Sequence, residues 1–367
     1  MALGDGGSIL ADPPDPDVTT VDADGRLVVP ALVEPHVHLD RAFTSAITGS
    51  NLSGSLDEAV ERFIGSAGRM TVEALIPGAR RALNLLSEAG VAHVRTHTAV
   101  GGALGFRAWE AVEAAASTLP EIEVDQVVMP LTANLDHAEV AAWVREAVAR
   151  GAVAVGGAPW RAENPTAATR TAAGLAAELG VGLDLHVDET DDPRVDTLPE
   201  LAAAVEAAGL GGRAVAAHCC SLSGRPEPVA RREAEALARA GVAVVVCPVS
   251  SLCLQGRQLG GRGIAPIRLL REAAVRVGVG LDNLCDVVVP VGTGDPLRAA
   301  WLLAIVGHLT GEEELTWLGE TVVRSNRVLC GHPGGLSPGD RADVLVLDAA
   351  SLAEAVALVP HRQRFRG

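Results

Sequence analysis

Residues 28–40 read VVPALVEPHVHLD, an apolar run that ends in two histidines separated by one residue. Side chains alternate between the two faces of a strand, so His36 and His38 project from the same face and can bind one metal ion together. A histidine pair of this kind also occurs without a metal, so it needs support from the rest of the chain. The stretch predicts a buried strand that ends at a candidate metal-binding site.

The same unit recurs along the chain, with a short Val, Ala and Leu run followed by a polar loop and an amphipathic stretch of helical period. Eight strands that alternate with helices are the number found in a (β/α)8 barrel, in which the buried parallel strands are continuous apolar runs. A doubly wound open sheet is the alternative, but no glycine-rich phosphate turn follows the first strand. The predicted strands are residues 32–39, 91–98, 124–131, 152–157, 182–187, 214–218, 242–248 and 277–282.

The two ends of the chain predict a second, smaller element. Residues 18–21 and 27–29 precede the first barrel strand, and ADVLVLD (342–348) is a strand-like run after the last helices. We expect an α/β protein, a TIM-type barrel with a small, reduced β-sandwich element formed by the chain termini. Residues 1–30 would form a disordered tail and the N-terminal part of that element, 31–330 the (β/α)8 barrel, and 331–367 the C-terminal part.

Composition excludes several classes of function. The chain has 46 acidic and 30 basic residues, a net charge of -16, which argues against nucleic acid and anionic membranes as partners. No apolar run is long enough to span a membrane, and residues 1–14 lack the features of a signal peptide, so we expect a cytoplasmic protein. All the basic residues are arginine, so a two-metal site bridged by a carboxylated lysine cannot be built.

Polar residues fall at the C-terminal ends of the predicted strands, where a barrel places its active site. Independent core histidines have no reason to choose this one face, so together these residues predict a metal site. Glu189 lies three residues beyond the histidine of the fifth strand, close enough to reach the same centre. The residues at the ends of the first, fifth, sixth and eighth strands are His36, His38, His186, His218 and Asp282.

The chain resembles the amidohydrolase superfamily and, within it, the cytosine deaminase-like branch. The order HxH, His, His and Asp, with HxxE, is specific for the superfamily, while LQGR and the GTG-type turn indicate the branch. The matching segments span nearly the whole chain in family order: VVPALVEPHVHLDRAFT (28–44), HVRTH (93–97), DLHVDET (184–190), AAHCCSL (216–222), LCLQGR (252–257), RGI (262–264), GLDNLCDVVVPVGTGDPL (280–297) and GDRADVLVLD (339–348).

This resemblance implies one divalent metal ion per chain, with zinc, iron and manganese all open as its identity. Asp282 would also take a proton from the water that the metal activates. Glu189 would pass a proton to the ring nitrogen or the leaving group, and His218 would orient hydroxide without binding the metal directly. The implied metal ligands are His36, His38, His186 and Asp282.

Three departures from the cytosine deaminases bear on the substrate. Those enzymes carry Gln, Asp and Trp where this chain has Leu131, Asn283 and Val288. Cytosine's polar edge would be left unsatisfied here, at about 1–3 kcal/mol per group, so a substituted heterocycle, a cyclic amidine or an N-alkyl amine leaving group is favoured. Gln255 and His97 complete the residues expected near the substrate.

We therefore expect a hydrolase of a C–N bond in a small nitrogen heterocycle, with deamination as the leading reaction. Hydrolysis of an amide, lactam or N-alkylamino bond by the same residues is the alternative. A catalytically silent binding protein is disfavoured, because every implied ligand is present together with Glu189 and His218. The small element is either reduced or covered by a partner subunit, which leaves a homo-oligomer open.

Overall fold

In the computed structural model, eight parallel strands form one sheet in which chain neighbours are also sheet neighbours. This order confirms the predicted barrel. The structure describes residues 22–257, 261–338, 340 and 342–366, and the backbone of 2–3 and 9–10. The barrel strands are Leu32–Val37, Val91–Val100, Glu123–Pro130, Ala154–Gly157, Gly182–Val187, Ala214–His218, Val242–Val246 and Val277–Val279.

The barrel closes where its first strand meets the segment after its eighth. Val37 forms a parallel bridge with Asp282, and the Asp282 N–H donates to the His36 carbonyl at 2.8 Å. The buried carboxyl of Glu34 accepts hydrogen bonds from the N–H groups of His36 and Leu281, each at 3.0 Å. Two of the predicted metal ligands thus lie at the seam of the barrel.

Helices cover the outside of the barrel, and each predicted helical stretch contains a helix. The helix before the eighth strand stops at Glu272, and Ala274 then adopts a left-handed conformation on the turn into that strand. The α-helices are Ser45–Thr48, Leu56–Ser66, Val72–Glu88, Arg107–Ala116, Ala138–Ala149, Pro165–Leu179, Leu198–Ala208, Glu227–Ala240, Pro248–Leu254, Ile267–Glu272, Pro296–Val306, Glu312–Glu320, Asn326–Leu329 and Leu352–Leu358. Shorter turns are the 3-10 helices Ala67–Arg69, Pro159–Arg161 and Cys220–Gly224 and the π-helix Thr321–Ser325.

A separate antiparallel sheet joins the two ends of the chain, as the sequence predicted. Its central strand Asp343–Leu347 pairs with Leu27–Pro30 on one side and with Arg362–Arg366 on the other. Ala2–Leu3 pairs with Ile9–Leu10 in a two-stranded sheet. The predicted strand at 18–21 and the rest of the predicted tail lie outside the described residues, and the domain limits stay a prediction. Of the helices that the structure describes, none is long and apolar enough to cross a membrane.

Candidate active site

Four buried side chains meet at the C-terminal mouth of the barrel, and they are the ones that the sequence singled out as metal ligands. One potential ligand atom from each of His36, His38, His186 and Asp282 lies within 4.8 Å of the other three. Asp282 Oδ1 is 3.2 Å from His38 Nε2 and 3.5 Å from His36 Nε2. His38 Nε2 is 3.1 Å from His186 Nε2. Residues from three distant parts of the chain therefore converge on one point.

These distances fit a shared metal ion. Nitrogen and oxygen ligands about 2.0–2.2 Å from a tetrahedral zinc ion lie about 3.3–3.5 Å from one another, close to the separations found here. His36 Nε2 and Asp282 Oδ1 are buried and lack a hydrogen-bond partner among the described residues. A buried polar atom without a partner is costly, and a cation at this point would satisfy both atoms.

The protonation states also suit a metal ion. Burial, with Arg41 adding to it, lowers the pKa of His38, and burial with the surrounding histidines lowers the pKa of His186 well below its usual value. Burial alone would raise the pKa of Asp282, but the close approach of the His36 and His38 imidazoles to its carboxylate holds that pKa well below its usual value. Neutral imidazoles and an ionised carboxylate are the forms that bind metals.

Glu189 and His218 lie beside this cluster. Glu189 Oε1 is 3.8 Å from His218 Nδ1, and both side chains group with the Asp282 carboxylate within 4.8 Å. Burial, and then the charge of Asp282, raise the pKa of Glu189 well above its usual value. Burial lowers the pKa of His218 to about 3. The site therefore presents a protonated acid next to a neutral imidazole.

The backbone around the site is held in a conformation that non-glycine residues rarely adopt. His218 has φ of 73°, Asp282 of 60°, Cys219 of 50° and Asp188 of 47°. Each such residue costs about 1–3 kcal/mol, which the surrounding structure must offset. These four residues lie at or just after the C-terminal ends of the fifth, sixth and eighth strands, where the backbone must turn sharply to direct side chains into the mouth.

A buried polar network, which the sequence reasoning missed, fixes the loop that carries Glu189. The Asp188 carboxylate accepts hydrogen bonds from the Thr197 N–H at 3.2 Å, the Ser221 hydroxyl at 3.3 Å and Arg225 Nη2 at 3.1 Å. Ser221 and Arg225 follow the sixth strand, so the network joins the loops after the fifth and sixth strands. The acidic run after His186 was the one sequence signal for it.

Two residues that the sequence placed near the substrate make contacts within the protein instead. The Gln255 amide donates to the Glu189 carbonyl at 2.9 Å and accepts from the Asp191 N–H at 3.2 Å. His97 is fully buried, with Nε2 3.2 Å from Asp184 Oδ1 and its ring 4.1 Å from the ring of His36. Gln255 therefore holds the loop that carries Glu189, and His97 packs against a predicted metal ligand. Direct contact of either side chain with the substrate stays a prediction.

The other predicted substrate residues lie at the mouth. Leu131 and Val288 belong to one apolar cluster, and Asn283 is buried with its amide donating to Asp286 at 2.6 Å. Leu131 also lines a cavity of about 650 Å³ at the ends of the second, third and fourth strands. The cavity wall is mainly apolar and includes Val60, Ile64, Met129, Trp143 and Arg161.

Arg41 and Arg161 are further charged groups at the mouth that the sequence reasoning did not single out. Arg41 is 7 % exposed, its Nε lies 3.2 Å from Asp40 Oδ1, and its guanidinium lies 4.3 Å from the centre of the Phe63 ring. The positive charges of both arginines oppose the raised pKa of Glu189 without cancelling it. Arg41 directly follows the HxHxD run, which was the available signal.

Comparison with known proteins finds one family and several relatives. The profile of the amidohydrolase family matches residues 19–155 and 129–364. N-isopropylammelide isopropyl amidohydrolase of Pseudomonas sp. (strain ADP) is 25% identical over 90% of this chain and 82% of that protein. Pterin deaminase of Rhizobium rhizogenes (strain K84) is 34% identical over 49% of this chain, and the match spans only 42% of that protein. The crystal structure of 5-methylcytosine deaminase from Klebsiella pneumoniae superposes with a TM-score of 0.90 at 28% identity, over 98% of this chain and 91% of that one.

Proposed function

The chain belongs to the amidohydrolase family, and on that premise we propose that it is a metal-dependent hydrolase of a C–N bond in a small nitrogen heterocycle, with deamination as its leading reaction. One observation carries the proposal. Three histidines and the Asp282 carboxylate converge within 4.8 Å, next to Glu189, whose pKa is raised, and His218, whose pKa is lowered. That combination supplies metal ligands, a base and an acid at one point.

We assign His36, His38, His186 and Asp282 as ligands of one divalent ion per chain, zinc or iron, with manganese as an alternative. A divalent ion bound there would lower the pKa of a water molecule towards neutrality and so make hydroxide available for attack. The family match and the donor set support a metal, and the mixed nitrogen and oxygen donors leave its identity open.

The side chains around the ligands divide the proton transfers between them. Asp282 is ionised, so its carboxylate can accept the proton of the attacking water. Glu189 carries a proton, which its carboxyl can donate to the ring nitrogen or to the departing amine. His218 is neutral and lies within 3.8 Å of Glu189, where it can orient the nucleophile by hydrogen bonding.

The apolar mouth supports a substrate that is less polar than cytosine. Leu131 lines the cavity and packs in the same apolar cluster as Val288, and neither side chain can form a hydrogen bond with a polar pyrimidine edge. An alkyl-substituted heterocycle would bury apolar surface against this wall. The net charge of -16 supports an uncharged or cationic substrate, and we expect a cytoplasmic protein that acts without nucleic acid or membrane partners.

Release of an N-alkyl amine is the second candidate reaction. The apolar cavity beside Leu131 could hold an alkyl substituent on the leaving nitrogen. The match to N-isopropylammelide isopropyl amidohydrolase over 90% of the chain also supports it. The same acid, base and ligands would serve, since only the substituent on the departing nitrogen differs.

The test is product release from metal-loaded protein offered aminated pyrimidines, triazines, purines and pterins, their N-alkyl derivatives, and cytosine as reference. Ammonia from one ring supports deamination, and alkylamine without ammonia supports the second reaction. Glu189→Gln should lower kcat at least 100-fold, because it removes the proton that Glu189 donates. Glu178→Gln, which changes an exposed glutamate paired with Arg145, is the matched control. Silence of the wild type toward every compound would contradict the proposal.

A further inference from the structure

A second group of potential metal ligands lies at the N-terminal end of the barrel, opposite the candidate active site. His93 is near the start of the second strand, Glu123 begins the third, and His332 follows the helix Asn326–Leu329. One potential ligand atom from each of the three side chains lies within 4.8 Å of the other two. This group takes no part in the proposed reaction.

His93 is oriented in the way that proteins orient metal-binding histidines. It is 3 % exposed, and its Nε2 lies 3.1 Å from Asp125 Oδ2. A carboxylate at that distance favours the tautomer with hydrogen on Nε2, which leaves the Nδ1 lone pair facing His332. Metal-binding histidines usually have a carboxylate or a carbonyl beside their second nitrogen, and Asp125 occupies that place here, although its angle to Nε2 is not that of a hydrogen bond.

His332 and Glu123 supply the other donors. His332 Nε2 lies 2.7 Å from His93 Nδ1, and the two rings are 4.3 Å apart between centres. In the tautomer with hydrogen on Nδ1, the His332 imidazole has a free lone pair on Nε2, the nitrogen that faces His93. Glu123 is exposed, so solvent can reach the group and an ion can enter.

The simplest alternative is a hydrogen bond between two imidazoles. Such a bond explains the 2.7 Å approach of His93 and His332, whereas a metal ion would also bind the Glu123 carboxylate that lies within 4.8 Å of them. Ligands of one zinc ion lie about 3.3 Å apart, so binding needs the rings to separate by about half an ångström. His332 lies in the segment that leads to the terminal sheet and is only half-buried, so it can make that adjustment.

We propose that His93, His332 and Glu123 form a second divalent-metal site, separate from the candidate active site. Two imidazoles and one carboxylate are a donor set suited to zinc and to similar transition ions, with water completing the shell. The ion would join the segment after the last barrel helix to the base of the second and third strands. Its role is therefore to stabilise the attachment of the C-terminal segment.

The test is calorimetric titration of the full-length protein, already loaded at its first site, with ZnCl2 at pH 7.5. We expect one additional zinc ion per chain and a higher thermal midpoint once it is bound. His332→Gln should weaken this binding at least tenfold and remove the thermal shift. Asp125→Asn should weaken it about 10–100-fold, because it removes the carboxylate that orients His93.

Two further variants separate ligand loss from other effects. His361→Gln changes an exposed histidine near Asp348 and should bind the additional zinc ion as the wild type does. His332→Cys replaces one zinc ligand with another and should retain binding, which a folding defect at this position would not allow. The absence of an additional ion in the wild type, or equal zinc binding by His332→Gln, would overturn the proposal.

Discussion

Replacing Arg225 by methionine tests how the loops of the candidate site are held in place. The Arg225 side chain is 3 % exposed and lies between acidic groups from two segments, the loop after the fifth strand and the helix Glu227–Ala240. Its Nη2 is 3.1 Å from Asp188 Oδ2, its Nη1 is 2.8 Å from Asp196 Oδ1, and it also contacts the Glu233 carboxylate. Methionine keeps most of the side-chain volume and removes the charge.

The structure sets the size of the expected effect. Removing one partner of a buried charge pair leaves the other charge uncompensated and costs about 3–5 kcal/mol of the free energy of unfolding. Burial already raises the pKa values of Asp188 and Glu233 in the wild type, although Arg225 opposes the shift. Without the guanidinium, both folded-state pKa values rise further. The variant should therefore be less destabilised at pH 5, where protonation relieves the buried charge, than at pH 8.

Urea unfolding of wild type and Arg225→Met at pH 5 and pH 8 measures this difference. Arg145→Met is the matched control, because Arg145 pairs with Glu178 while their side chains are 47% and 55% exposed. That exposed pair should contribute less than about 1 kcal/mol at either pH. Arg225→Met should also lower kcat, since Asp188 fixes the loop of Glu189. Equal losses for the two arginine variants, or a loss from Arg225→Met that does not grow with pH, would refute the reasoning.

Three other predictions concern the site and its surroundings. Burial raises the pKa of Asp286 to about 6, above its usual 3.8, so the folded state binds this proton more tightly than the unfolded state does. The free energy of unfolding should therefore fall by about 2 kcal/mol as the pH rises from 4 to 6, and Asp286→Asn should remove that slope in pH-dependent urea unfolding. Gly280→Ala would place a Cβ 2.9 Å from His36 Cβ and 3.0 Å from Val245 Cγ1. This crowding should lower the free energy of unfolding by about 1–3 kcal/mol, measured by urea unfolding, and should lower the metal content per chain, measured by elemental analysis. Removing the metal with a chelator should lower the thermal midpoint, by the equivalent of about 4 kcal/mol if the metal was present at 1,000 times its Kd; an unchanged midpoint by calorimetry would contradict a metal bound to the folded state.

The barrel could be predicted from the sequence because its fully buried parallel strands are continuous apolar runs. The continuous apolar sequence also shows where a strand ends, because a polar residue interrupts it at the catalytic mouth of the barrel. Predicted strands that extended to residues 39, 248 and 282 are shorter in the structure. The chain leaves the sheet just before these residues, and His38 and Asp282 lie on the turns that follow.

Contacts between distant polar side chains could not be predicted in the same way. Asn326 is fully buried, and its amide accepts from the Val279 N–H and donates to the carbonyls of Val33 and Val279, which joins the first and eighth strands at the seam. Its sequence context is that of an ordinary helix. The contact between Asp188 and Arg225 is similar, because neither residue has a periodic pattern that reveals its partner.

The central claim is that His36, His38, His186 and Asp282 bind one metal ion. Its most direct test is elemental analysis of the bound metal in wild type, in Asp282→Ala and in His137→Ala, which changes an exposed histidine before the helix Ala138–Ala149. We predict that Asp282→Ala contains one ion per chain fewer than the wild type, while His137→Ala contains the same amount. Equal metal content in wild type and a folded Asp282→Ala would contradict the account.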